Sequence, residues 1–194
     1  VRELSYEKET VDEVRTHHML EHFSRQQALV LLARWHKWLT MGGKLHVETP
    51  DFEESARKFV NPHTKIEEQF QLARHIFGSH EAAWAYHLDF WSEDKYRYVL
   101  REFGYGDFMF EKYSNNLEQK IPKLKDSFIS RQEEALKKLG KFGFNTLPNI
   151  VCYATKTVRE VHYEEAIRKI LSLSLVGREK GILDVWMKDV TGKI

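Results

Sequence analysis

The densest run of chemically capable side chains is Thr16-His17-His18-Met19-Leu20-Glu21-His22, which places three imidazoles, a hydroxyl and a carboxylate within seven residues. Histidine titrates near neutrality and glutamate is ionised there, so such a run can move protons, hold a metal or orient a polar ligand. One specific chemistry is spelled out: His18-x-x-Glu21-His22 is H-x-x-E-H, the inverted zincin pattern. A zinc hydrolase of that type needs both histidines on one face of a helix, with the glutamate beside a zinc-bound water. Here the preceding residues read as a strand and the helix cap, Ser24, follows the motif. Five-residue patterns of this kind also arise easily in a chain with ten histidines. No metal site is therefore expected, and His36 and His46 add no ligand spacing. Further polar candidates are Thr49 and Asp51, then Trp84, Tyr86 and His87. Each has a plainer reading. Glu21 and His22 can serve the start of the next helix, Asp51 can be an N-cap, His87 can be a surface group, and Trp84 and Tyr86 can be packing.

The elements that must position these groups follow from periodicity. Val11–Thr16 is rich in β-branched residues and reads as a strand. Ser24 with Gln27 suits a capping box, and Ala28, Leu29, Leu31, Leu32, Trp35 and Leu39 continue at helical spacing. Gly42-Gly43 is expected to end that helix and turn the chain into a strand, Lys44–Glu48, stopped at Pro50. Helices are expected from Asp51 to Phe59, Lys65 to Phe77 and Glu93 to Phe103, the last capped by Ser92. An irregular aromatic segment, His80–Trp91, lies between. Asp107–Tyr113 and Ile150–Lys156 read as strands that can pair antiparallel. Asn115–Leu139 is long, charged and helical in pattern. Tyr163–Leu175 and Arg178–Val190 are terminal helices. A strand, helix, strand crossover is right-handed and parallel, so the tips Thr16–His22 and Glu48–Asp51 should share one rim. In open α/β sheets ligands sit at that rim.

The 194 residues suffice for one sizeable domain, and 42% hydrophobic with 30% charged residues is a globular composition. Thirty basic against 29 acidic residues leave no field that selects nucleic acid. The lysines from Lys112 to Lys141 alternate with acids, as on a solvated helix face. No apolar run is long enough for a membrane span, no signal peptide is evident, and the single Cys152 suits a reducing cytoplasm. The chain does not open on Met, which is the expectation for a piece of a longer one.

Several segments together resemble the second half of a class I S-adenosylmethionine-dependent methyltransferase. They are Asp12-Glu13-Val14, His18-Met19-Leu20-Glu21-His22-Phe23, Gly42-Gly43-Lys44-Leu45 and Pro50-Asp51. His87, Phe90 and Ser92, with Leu100 through Tyr105, resemble that family's later H…F(S/T)…LL…GF segment, and Asn149–Lys156 resembles its last strand. The resemblance implies a partial Rossmann-like α/β sheet over residues 1–156, with a helical insert at about 114–147. Residues 157–194 would be a C-terminal helical extension that can dimerise. It implies S-adenosyl-L-methionine as cofactor, with Thr16, His17, His18, Met19 and Leu20 along its methionine part. Glu21, His22 and His87 would serve the reaction, and Thr49, Asp51, Trp84 and Tyr86 would contact a small-molecule or glycan acceptor. The family's Gly-rich loop after a first strand, and its ribose-binding acid, are not found. Aligned on the family, Val1 falls near the end of the third strand, so an upstream half is expected to complete the cofactor site. Two alternatives remain open, a non-catalytic scaffold or dimerisation module and the zinc hydrolase.

Overall fold

The computed structural model describes residues 4–114, 147–177 and 179–194. The expected helix from Asn115 to Leu139 and most of the insert lie outside them. Four strands form one mixed sheet: β1 (Val11–His17), β2 (Leu39–Pro50), β3 (Tyr105–Ser114) and β4 (Pro148–Lys156). Their order is β1-β2-β4-β3. β1 and β2 are parallel, and β4 runs antiparallel to both β2 and β3. The ends of β1, β2 and β3 and the start of β4 therefore share one edge. The fold is α/β, and the expected antiparallel pairing of the last two strands is present.

Helix α1 (Arg25–Trp38) makes the crossover from β1 to β2. Its N-terminus is capped by Ser24, whose hydroxyl accepts from the Gln27 N–H at 3.4 Å. Ala28, Leu29, Leu31, Leu32 and Trp35 are buried and form one core with Leu45 and Val47 of β2 and Ile150, Cys152 and Ala154 of β4. β4 is buried on both faces and reads as an apolar run from Ile150 to Ala154, whereas β2 alternates Leu45 and Val47 with His46 and Glu48, polar residues that are nevertheless buried.

Helices α2 (Phe52–Phe59) and α3 (Ile66–Phe77) follow β2, and α4 (Glu93–Glu102) leads into β3. The caps on α2 and α4 are those the sequence suggests: Asp51 Oδ1 accepts from Glu54 N at 3.1 Å, and Ser92 Oγ accepts from Lys95 N at 3.3 Å. After β4 come α5 (Tyr163–Ser172) and α6 (Lys180–Lys188). Ile167, Ile170 and Leu171 of α5, with Met187 and Val190, join the same core.

Two expectations need correction. Gly42-Gly43 does not turn the chain between α1 and a strand. The helix stops at Trp38, and Leu39, expected inside it, already has extended backbone. The glycines sit within β2, where the register jumps from Val11↔Leu39 to Glu13↔Lys44. Gly42 has φ +80°, and a Cβ on Gly43 would lie 2.8 Å from the Thr40 carbonyl oxygen, so the pair forms a bulge. The second is that the ten glycines offer no E/D-x-G-x-G pattern: Glu102-Phe103-Gly104-Tyr105-Gly106 spells one, but it leads from α4 into β3. A nucleotide-binding loop runs from a strand into a helix N-terminus, whereas here Gly104, at φ +77°, ends α4 and Gly106 lies in β3.

Candidate active site

The tips of β1 and β2 are neighbours, with His17 opposite Glu48. The His18 N–H donates to the Glu48 carbonyl at 2.9 Å, and His18 then takes a left-handed conformation, φ +47°, uncommon for a residue with a Cβ. Met19 precedes a single 3-10 turn, Leu20–His22. Thr16 is buried near the tip of β1, and its hydroxyl has no hydrogen-bond partner. Leu20 is fully buried in the core, so it meets the rim through its backbone.

This geometry removes the zincin reading. His18 lies outside the turn, and its Nε2 is 3.2 Å from Glu48 Oε1. His22 instead donates from Nδ1 to the Tyr86 carbonyl at 3.0 Å. The two histidines are not stacked at i and i+4 on one helix face, as that mechanism requires.

Two buried carboxylates organise the rim. Glu48 receives His17 Nδ1 at 2.8 Å, His18 Nε2 at 3.2 Å and the Tyr113 hydroxyl. Glu21, only 2% exposed, has His18 Nδ1 at 3.4 Å and no hydrogen-bond partner on either oxygen. The Glu21 and Glu48 carboxylates raise His18 to about 9, so at neutral pH His18 is a cation and not a general base. Burial acts oppositely on its neighbours. His87 is pushed below the ordinary histidine range, and His75 is pushed down to about 4. The His75 Nε2–H donates to the Pro148 carbonyl at 2.8 Å. The rings of His22 and His87 meet edge to face, 4.7 Å between centroids.

Segments far apart in sequence converge on this corner. Leu88 N and Asp89 N donate to the Glu21 carbonyl at 2.7 and 3.3 Å, tying the His87 segment to the 3-10 turn. Phe52 N donates to the Trp91 carbonyl at 3.1 Å, and Asp51 N donates to the Pro148 carbonyl at 2.9 Å. Thr49 is fully buried, and its hydroxyl pairs with Tyr96 at 3.0 Å, so it supports the rim from below. Asp51 is also fully buried. It caps α2, and desolvation raises its carboxyl above the usual range. Trp84 stands 70% exposed, and Tyr86 stacks on His80. Glu48, His75 and Tyr113 were not singled out as site residues from sequence. His75 sits in the last turn of an amphipathic helix and reads there as an ordinary polar position.

A hollow of about 660 Å³ lies elsewhere, between α1 and the C-terminal residues, lined by Tyr6, Val30, Arg34, Trp38 and Ile194 among others. None of its lining residues belongs to the acid–base cluster. Among the described residues no helix is long and apolar enough to cross a membrane.

No family model matches the sequence, and no curated protein does. Similar solved structures include a possible exported protein from Bordetella parapertussis and S-adenosylmethionine-dependent methyltransferases. One, from Archaeoglobus fulgidus, is 15% identical with TM-score 0.41, covering 77% of this chain and 61% of its own. Phosphoethanolamine N-methyltransferase 2 of Haemonchus contortus, in complex with S-adenosyl-L-methionine, is 13% identical with TM-score 0.45, covering 81% of this chain and 36% of its own. The same enzyme with phosphomonomethylethanolamine and S-adenosylhomocysteine gives 15% and 0.46 over the same shares. The chain thus spans about three-fifths of the Archaeoglobus structure's length and little more than a third of the Haemonchus enzyme's.

Proposed function

We propose that this chain contributes the acceptor-side half of an S-adenosyl-L-methionine-dependent methyltransferase acting on a small-molecule or glycan acceptor. One observation carries the reading. The three segments with the family resemblance, His18–Phe23, Pro50-Asp51 and His87–Ser92, are separated by tens of residues, yet backbone hydrogen bonds join them at one rim. That rim lies beyond the ends of two adjacent parallel strands, where α/β sheets bind ligands.

The residues present suit such a ligand. Thr16 brings a buried hydroxyl without a partner to the end of β1, and the backbone from His17 to Leu20 crosses the tip beside it. These residues would hold the methionine portion. The cofactor, when bound, supplies a methyl group made electrophilic by its sulfonium. The protein's task is then to align the acceptor and remove its proton. His22 and His87 are the groups placed to receive that proton, with Glu21 beneath them. We assign to the acceptor side the exposed Trp84 and Tyr86, with Asp51 buried beneath the rim as the cap of α2. A Gly-rich strand-to-helix unit, on the same or a second polypeptide, would complete the nucleoside end. The single, buried Cys152 is compatible with the reducing cytoplasm in which we place the reaction.

Calorimetry with S-adenosylmethionine and S-adenosylhomocysteine, on this chain and on the complete gene product, tests the reading. Saturable binding to the complete product is expected. Absence of binding to both at high ligand concentration would remove it.

A further inference from the structure

We infer that Glu21, His22 and His87 form a three-ligand site for a divalent transition-metal ion. One ligand atom from each lies within 4.8 Å of the other two. Metal–nitrogen and metal–oxygen bonds of about 2.1 Å at tetrahedral angles put ligand atoms roughly 3.4 Å apart, so closing the set takes a side-chain approach of up to about 1.4 Å per pair.

Three features distinguish it from a chance cluster. Glu21 is 2% exposed, and among the described residues its one charged contact is the His18 ring, Nδ1 at 3.4 Å from Oε1, with no shorter hydrogen bond on either oxygen. That single long contact leaves a buried carboxylate with unused acceptor capacity, which a metal ion would take up. Next, His87 Nδ1 is buried and also without a partner. Finally, His22 already has the support expected of a ligand. Its Nδ1–H donates to the Tyr86 carbonyl at 3.0 Å, which fixes the tautomer and leaves the Nε2 lone pair for a ligand bond. Metal-bound histidines nearly always donate their other ring N–H in this way. The Glu21 carbonyl is in turn held by Leu88 N and Asp89 N, so the segment carrying His87 is tied directly to the turn carrying the other two ligands.

Two imidazoles and one carboxylate suit zinc, cobalt, nickel or ferrous iron better than magnesium or calcium. Three protein ligands leave at least one position for water or an oxygen-bearing ligand, as in catalytic and not structural zinc sites. His22 and His87 are only partly buried, so that position opens toward the rim. The site uses Glu21 and His22 of the H-x-x-E-H run but replaces His18 with His87, which is 65 positions beyond His22.

A second cluster, His17, His46 and Glu48, also has close ligand atoms. Its carboxylate is already occupied by His17, His18 and Tyr113, and this favours the first cluster.

The test uses the full chain, stripped with a chelator and titrated with Zn²⁺ by calorimetry and with Co²⁺ by visible absorption, without methyl donor. One ion per chain is expected, with a d–d spectrum showing mixed nitrogen and oxygen ligation and a rise in Tm. His22→Gln and His87→Gln should each weaken binding at least tenfold, the scale seen when metal-site partners are lost, and abolish the Tm rise. His63→Gln, remote and exposed, should change neither. Circular dichroism confirms that each variant is folded, and the partly exposed His22 position keeps the test usable if His87→Gln unfolds. The inference is overturned if the folded wild type binds no stoichiometric metal at hundreds of micromolar. It is equally overturned if His22→Gln binds as tightly as wild type, or if His46→Gln alone abolishes binding. With the ion bound, His22 and His87 would be ligands, and a metal-bound hydroxide would take the acceptor's proton in their place; the titration, run without methyl donor, is independent of the methyl-transfer test.

Discussion

His36 provides a measurement of how tightly this core is closed. It lies on the inner face of α1, is fully buried, and its Nδ1 is 2.7 Å from the Tyr163 hydroxyl. The Tyr105 and Tyr163 rings meet it edge-on. Desolvation, with help from the nearby Lys156 ammonium, lowers its pKa from 6.5 to about 4. The unfolded chain binds a proton here below about pH 6.5 and the folded chain does not, so stability falls as pH drops through that window and levels off near pH 4. The full effect is about 3 kcal/mol, of which about 2 kcal/mol falls between pH 7 and pH 5. The assay is urea unfolding of wild type and His36→Gln at both pH values. Other groups titrate in both proteins and cancel in the comparison. Wild type should lose about 2 kcal/mol more than the variant on acidification. Equal losses, within about 0.5 kcal/mol, would refute the claim that this imidazole is held neutral by burial.

Lys156, with no side-chain exposure, donates to the His36 carbonyl at 2.9 Å and the Leu39 carbonyl at 2.8 Å, closing the end of α1 from the end of β4. Lys156→Met should cost about 3 kcal/mol, because it strands buried carbonyls; a shifted urea midpoint with unchanged m-value would show it. Leu173 and Val176, just after α5, and Ile182 and Val185 of α6 are exposed, and we propose that they pair with a second copy. Sedimentation should then show a dimer that Leu173→Glu with Val185→Glu converts to monomer. A wild-type monomer at all concentrations would reject the pairing.

Most of the elements are legible from periodicity and caps, since both depend on neighbours in sequence. Ser24, Asp51 and Ser92 cap the helices they precede because a side-chain oxygen two or three residues from an open N–H needs no tertiary help. Gly42-Gly43 illustrates the limit. Positive φ serves a helix end and a strand bulge equally well, and only pairing with β1 decides between them. Lys156 shows the same limit from the other side. A lysine at a strand's end reads as solvent-facing, and nothing local says that α1 ends directly above it.

The H-x-x-E-H run shows how the same residues change meaning with backbone context. On a helix its histidines would stack and share a metal. Here β1 continues to His17, and the next residue must leave the sheet while its N–H still serves the Glu48 carbonyl. That requirement sets His18 in a left-handed conformation and directs its ring to Glu48 and Glu21, away from His22. His22 is then free to meet whatever the chain delivers next to the turn. What arrives is His87, held by the bonds that Leu88 and Asp89 make to the Glu21 carbonyl. The cluster proposed as functional is thus assembled by backbone hydrogen bonds between remote segments, and its composition is not legible from spacing within any one of them.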